Sequence, residues 1–223
     1  MKKLLALLTF TTLLSGAWIT SLAQEEVVVS DSNADAALKL ALILQEMDTL
    51  SADVEQLTLD QDGREIQEFQ AKLIIDKPDH FYWEIQSPYS ESMIANGNRI
   101  WRIEPDLEQV TVEEFQNDAG RNPLLLLNGD AELLAGSYTI AAAELELGNR
   151  QLFILTPTAP DSQFERLSLT FAENIIQEMQ FESSLGQKTS LSFSRPEINA
   201  VIDPGIFEFH MPEGMEIIDN TGD

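Results

Sequence analysis

Residues 24–32 read as a loose acidic lead-in, and from Asn33 the spacing of apolar residues becomes helical. Leu38, Leu42, Met47 and Leu50 mark much of one face, with Asp35 and Lys39 supporting the 3.6-residue period, and Asn33 or Asp35 is placed to cap the helix. After Ser51 the period shortens to two. Val54, Leu57 and Leu59 lead to the turn signal Gln61-Asp62-Gly63, and a strand-like run follows from Glu65 to Ile75. In the next run Phe81, Trp83 and Ile85 share a face. Met93 and Ile94 precede the hairpin signal Asn96-Gly97, Ile100 to Ile103 returns from it, and Val110-Thr111-Val112 continues the meander.

The stretch from Asn117 to Tyr138 breaks this rhythm. Pro123 opens Leu124-Leu125-Leu126-Leu127, which ends at Asn128-Gly129, so a proline early and a glycine late bracket a short helix. Asp130 to Gly136 predicts one or two further helical turns. Alternation then returns at Leu152 to Thr156, Phe164 to Phe171, Ile175 to Phe181 and Thr189 to Phe193, separated by turns at Gly148-Asn149, Glu173-Asn174 and Leu185-Gly186. Asp203-Pro204-Gly205 introduces a last predicted strand, Ile206 to His210, before an acidic tail. Roughly 10 to 12 short strands at this spacing predict a barrel or a strongly curved sheet in one domain.

The first residues bear on compartment. Lys2 and Lys3 precede an apolar stretch, Leu4 to Leu14, and Ser21-Leu22-Ala23 offers small residues to a signal peptidase. Residues 1–23 therefore read as a cleaved secretory signal, with 24–223 as the exported domain. The stretch is shorter than the roughly 20 residues a spanning helix needs. There is no cysteine, so neither a disulfide nor an acylated N-terminal cysteine is expected. The formal charge is −25, and loss of two lysines with the signal takes it to −27, which repels phosphate backbones and argues against nucleic acid as a partner.

Catalytic chemistry is hard to assemble from what is left. There are two histidines, His80 and His210, and no cysteine nucleophile or phosphate-cradling glycine loop. With 38 acidic residues, neighbouring carboxylates arise by chance. Asp60-Gln61-Asp62-Gly63 looks like the start of a calcium loop, but the distal glutamate is missing and a strand begins at once, so a hairpin turn is the better reading. No metal and no cofactor is expected. The unusual feature is apolar: Leu124 to Leu127 with Leu133 and Leu134 is too uniform for a surface helix. Phe69, Leu73, Phe81, Trp83, Met93 and Trp101 are large enough to fill or line a cavity. An apolar pocket and an ordinary core draw on the same residues, so this pattern alone leaves both open.

Residues 72–113 carry a more specific signal: Lys77-Pro78, Phe81, Trp83, Pro88, Asn96-Gly97, Ile100-Trp101 and Glu104-Pro105-Asp106-Leu107-Glu108-Gln109-Val110. In that order and spacing they resemble the outer-membrane lipoprotein carrier family, LolA, and a looser likeness runs from Ala36 to Phe207, Phe209 and Pro212-Glu213-Gly214. The resemblance implies an open, incomplete antiparallel β-barrel of about 11 strands under a lid of short helices. It implies a soluble, monomeric periplasmic carrier that takes lipidated lipoproteins from an inner-membrane ABC transporter and passes them to the receptor LolB. Leu124 to Leu127 with Pro123 would belong to the lid and Trp83 to the cavity wall. LolB is itself a lipoprotein, so the lack of cysteine favours the carrier. Where the family usually has an arginine holding the lid through backbone carbonyls, this chain has Lys77, whose point charge should make a weaker clasp than a planar fork. A binding module for another amphiphile on the same half-barrel is the competing expectation.

Overall fold

The computed structural model describes residues 33–115, 123–128, 131–145 and 149–222. The expected signal at 1–23, the lead-in at 24–32 and the segments flanking the leucine run lie outside the described residues. The chain opens with helix α1 (Asn33–Gln45) and runs through a meander of six strands: β1 (Thr49–Leu59), β2 (Glu65–Asp76), β3 (His80–Ser87), β4 (Glu91–Asn96), β5 (Arg99–Glu104) and β6 (Gln109–Glu114). A 3-10 helix, Pro123–Asn128, and helix α2 (Ala131–Ser137) interrupt it. A second meander follows: β7 (Tyr138–Leu145), β8 (Arg150–Pro157), β9 (Phe164–Ala172), β10 (Ile175–Ser183) and β11 (Lys188–Ile198). A 3-10 helix, Pro204–Phe207, and β12 (Glu216–Asp219) complete the order.

The twelve strands among the described residues form one sheet, ordered β12-β6-β5-β4-β3-β2-β1-β11-β10-β9-β8-β7. The two meanders are joined where β1 pairs antiparallel with β11. Among the described residues β7 and β12 stand at the two edges and are not paired with each other, so the sheet is an open half-barrel. Every pairing is antiparallel except that of β12, which runs parallel to β6.

Register divides the side chains into two faces, because residues directly opposite across a ladder point the same way. Leu73, Trp83, Met93 and Arg102 follow one another across β2 to β5, and this row looks inward. Ile74, Tyr82, Ile94, Trp101 and Val112 form the adjacent row, which looks outward. The inner face carries the main core, where Leu73, Ile75, Phe153, Leu167 and Leu169 meet Ala36, Leu40 and Leu44 of α1. The outer row has its own cover in the C-terminal arm. Phe207 is buried there, its ring 5.2 Å from that of His80, and its carbonyl accepts from Asn96 Nδ2 at 3.1 Å. Phe209 stacks on Trp101 with ring centres 5.4 Å apart.

Several expectations need correction. α1 forms at the expected place, but Leu38 and Leu42 are 61% and 54% exposed, while Ala36, Leu40, Ile43, Leu44 and Met47 are buried. The helix is apolar on more than one side, so periodicity alone could not choose the buried stripe. β7 is a strand that the pattern does not predict, because Ile140-Ala141-Ala142-Ala143 has helical propensity and only ladder pairing with β8 extends it. The predicted strand from Ile206 to His210 is instead a 3-10 turn and coil, capped by Asp203, whose carboxylate accepts from the Gly205 amide. The last strand lies in the supposed tail, at β12. β11 extends past Phe193 through Arg195 and Pro196, because a bulge between the Ser51–Glu197 and Asp53–Ser194 pairings absorbs the proline. Arg195 there has φ of +51° and its Nε donates to Asp53 at 2.6 Å. The Asp60 turn is a hairpin as expected: the Asp60 carboxylate accepts from the amides of Asp62 and Arg64.

The arm is therefore a structural cover. Phe207→Ala should cost roughly 3 kcal/mol and Phe209→Ala about 1 kcal/mol. Urea unfolding followed by tryptophan fluorescence checks both values.

Candidate functional site

Along β1 the inner-face residues change character: Leu50, Ala52 and Val54 are buried, then Gln56 and Thr58 follow. The apolar end of the half-barrel is filled by α1. Beyond α1 the inner face is not filled, and a cavity of about 350 Å³ remains. Its wall is contributed by Phe69 of β2, Phe81, Trp83 and Ile85 of β3, Met93 of β4, Phe181 of β10 and Leu191 of β11. Pro123 and Leu124 of the leucine 3-10 helix also line it. Phe69 meets Trp83 edge-to-face at 6.0 Å and Tyr89 at 6.3 Å, which holds the aromatic wall in fixed orientation.

Of the residues singled out in the sequence, Phe69, Phe81, Trp83, Met93, Pro123 and Leu124 come together around this space. Leu73 shares the inner face but is fully buried in the core and does not line the cavity. Leu125, Leu126 and Leu127 are buried too, anchoring the 3-10 helix to the main core. Trp101 is a correction. It pairs with Ile94, one residue out of step with Met93, so it lies on the outer face against Phe209 and cannot form the cavity wall. A one-residue offset in register moves a side chain to the other side of the sheet.

Lys77 sits between β2 and β3 and donates through Nζ to the Leu44 carbonyl in the last turn of α1. The cation therefore meets a carbonyl at the C-terminal end of α1, one that also accepts from the Met47 amide at 3.2 Å, where the helix dipole favours positive charge. Among the described residues it makes no hydrogen bond to the leucine 3-10 helix, so its hold is on α1. Burial lowers the Lys77 ammonium to about 8, against the pull of Asp48, which raises it.

The sequence reading missed Gln56, Ile85, Tyr89, Glu91, Arg102, Phe181 and Leu191 as cavity residues. Phe181 and Leu191 were visible as alternating strand positions, but their meeting with β3 depends on the curvature of the sheet. Arg102 could have been found by counting from the hairpin. Asn96 pairs with Arg99 around Gly97-Asn98, with Gly97 at φ of +66°, and three further steps put Arg102 opposite Met93. The arrangement is an apolar hollow with a polar edge. No group of His, Cys, Asp or Glu among the described residues is placed to hold a metal ion.

Comparisons with known proteins agree with this geometry. Residues 45–210 match the family model described as outer membrane lipoprotein carrier protein LolA. The outer-membrane lipoprotein carrier protein of Chromohalobacter salexigens is 33% identical over 195 residues, which is 87% of this chain and 92% of the relative. That of Pseudomonas aeruginosa is 32% identical over 201 residues, 90% of this chain and 96% of the relative. Among solved structures, an uncharacterized conserved protein from Thermus thermophilus shares the fold with a TM-score of 0.53, at 11% identity, over 85% of this chain and all of that one. With the family model covering most of its length, this chain belongs to the outer-membrane lipoprotein carrier family, LolA.

Proposed function

We propose that the cavity between the half-barrel and the leucine 3-10 helix shelters the acyl chains of lipoproteins while the protein carries them through the periplasm. The observation that supports this most is an unfilled, mainly apolar hollow on the inner face of a chain whose relatives are named lipoprotein carriers. In this reading residues 1–23 direct export, an inner-membrane ABC transporter loads the carrier, and the receptor LolB unloads it. The carrier acts as a monomer and performs no bond chemistry. The competing reading, a module for another amphiphile, needs the same hollow and differs only in what fills it.

The physical mechanism is exchange of apolar cover. Each acyl methylene removed from water is worth about 0.8 kcal/mol, so an anchor with several chains cannot travel free. A hollow of about 350 Å³ is at the small end of ligand pockets, roughly 300–1,000 Å³, and a multiply acylated anchor needs more room. Loading therefore displaces the leucine helix and α1 from part of the inner face. The displaced Leu124 to Leu127 give up burial that the cargo replaces, so the closed empty form competes with the ligand and moderates its affinity. Release becomes a transfer between two apolar hosts, with no nucleotide required on this protein.

Cells expressing a lipidated outer-membrane lipoprotein and its cysteine-free version test the reading. The tagged carrier should capture only the lipidated form from spheroplasts; equal capture of both would instead indicate a general binding module.

Lys77 provides a second test. Its folded value near 8 lies below the ordinary 10.5, so between these values the unfolded chain binds the extra proton and stability rises with pH. From pH 7.5 to 9.5 the wild-type melting temperature should therefore rise relative to that of Lys77→Met. A pH-independent difference would mean that the ammonium is not held out of water. In the same protein, Lys77→Arg should slow release of bound lipoprotein, because a guanidinium adds donors at the α1 terminus.

A further inference from the structure

The cavity has a charged edge on one side. Glu91 and Arg102 both line it, from the neighbouring strands β4 and β5. Glu91 stands opposite Ile85 and Arg102 opposite Met93, so both share the inner face with Trp83. Charged strand residues ordinarily occupy the solvent face, and here the outer positions on either side of Arg102 go to Trp101 and Ile103. The placement also runs against composition, since the chain has 13 lysines and arginines against 38 acids.

Arg102 Nε lies 3.9 Å from Glu91 Oε1, within ion-pair range but beyond hydrogen-bond reach. The Glu91 side chain is 22% exposed and that of Arg102 is 48% exposed, so the carboxylate lies in the wall and the cation at the mouth. Burial raises the Glu91 carboxyl above the usual range, with Arg102 opposing that rise and Glu104 adding to it. Glu91 thus keeps its ion-pair partner Arg102, a guanidinium that lines the hollow, beside the apolar wall. A second anion in this position would meet Glu91 and Glu104. A neutral carbonyl accepts the same hydrogen bonds without that repulsion.

We infer that Arg102, held by Glu91, is the subsite for the ester and amide carbonyls that join acyl chains to a cargo's N-terminal cysteine. This rests on the acyl-carrying reading above and adds a polar anchor point to it. The chains enter the aromatic hollow, the linkage stops at Arg102, and the polypeptide is left outside. The depth of insertion is then set by a hydrogen bond and not by chain length alone.

The test compares three probes on the purified protein: a synthetic triacylated cysteinyl peptide, a fluorescent alkane lacking ester and amide groups, and free palmitate. Arg102→Met should weaken the lipopeptide about tenfold and leave the alkane within about twofold. Arg102→Gln, which keeps a donor, should lose less, and Glu91→Gln should fall between wild type and Arg102→Met. Equal losses for lipopeptide and alkane would make Arg102 a packing residue, and unchanged lipopeptide binding would place it outside the site. A larger loss for palmitate than for lipopeptide would assign the cation to a carboxylate. Each of these three results overturns the inference while leaving the carrier reading standing. Failure of the wild-type protein to bind any of the probes would overturn both.

Discussion

An apolar sheet face that is not closed on itself must be covered, since each exposed square ångström of it costs roughly 25 cal/mol in water. A full barrel solves this by pairing its first and last strands. Here β7 and β12 remain separate edges, and the inner face is covered by pieces that do not belong to the sheet. α1 lays Ala36, Leu40 and Leu44 into the core at one end, and Leu125 to Leu127 seal a second region. Such a cover is attached by packing and a few polar contacts and not by a ladder of strand hydrogen bonds. The cavity lies where the two pieces leave the inner face uncovered.

The polar contacts mark the limits of that cover. Lys77 fixes the carbonyl end of α1, and Lys39 pairs with Glu144 of β7 at 3.6 Å, so the helix is tied to both halves of the sheet. Glu91 and Arg102 define the opposite boundary, where the apolar wall ends. The outer face is treated differently. Its apolar row includes the buried Ile74, Ile94 and Val112, and the arm that sets Phe207 against His80 and Phe209 against Trp101 runs on to pair β12 with β6. Continuity with the sheet gives the outer cover no evident reason to move, which suits a surface with a structural role.

Much of this was legible from local pattern. The hairpins at Gly63, Gly97 and Gly186 were announced by their glycines, each of which has positive φ. The leucine run was recognisable as a cover because four consecutive leucines cannot all face solvent. Phe69, Phe81, Trp83 and Met93 were nominated from alternation and do share the cavity. Even the placement of Trp101 on the other face was implicit, since any two-residue turn near Asn96-Gly97 puts Trp101 and Met93 on opposite sides.

What the sequence by itself determined is therefore the set of strands that alternate cleanly, the turns between them and the need for an apolar cover, because these follow from interactions a few residues apart. The tertiary structure decided the rest. It chose Leu40 and Leu44 over Leu38 and Leu42 as the buried side of α1, made an alanine-rich segment into β7, and turned part of the acidic tail into β12. It also brought Phe181 and Leu191 to the wall opposite Trp83 and pointed a rare arginine inward. Each of these depends on a partner far along the chain, and the energy that selects among local alternatives comes from that distant contact.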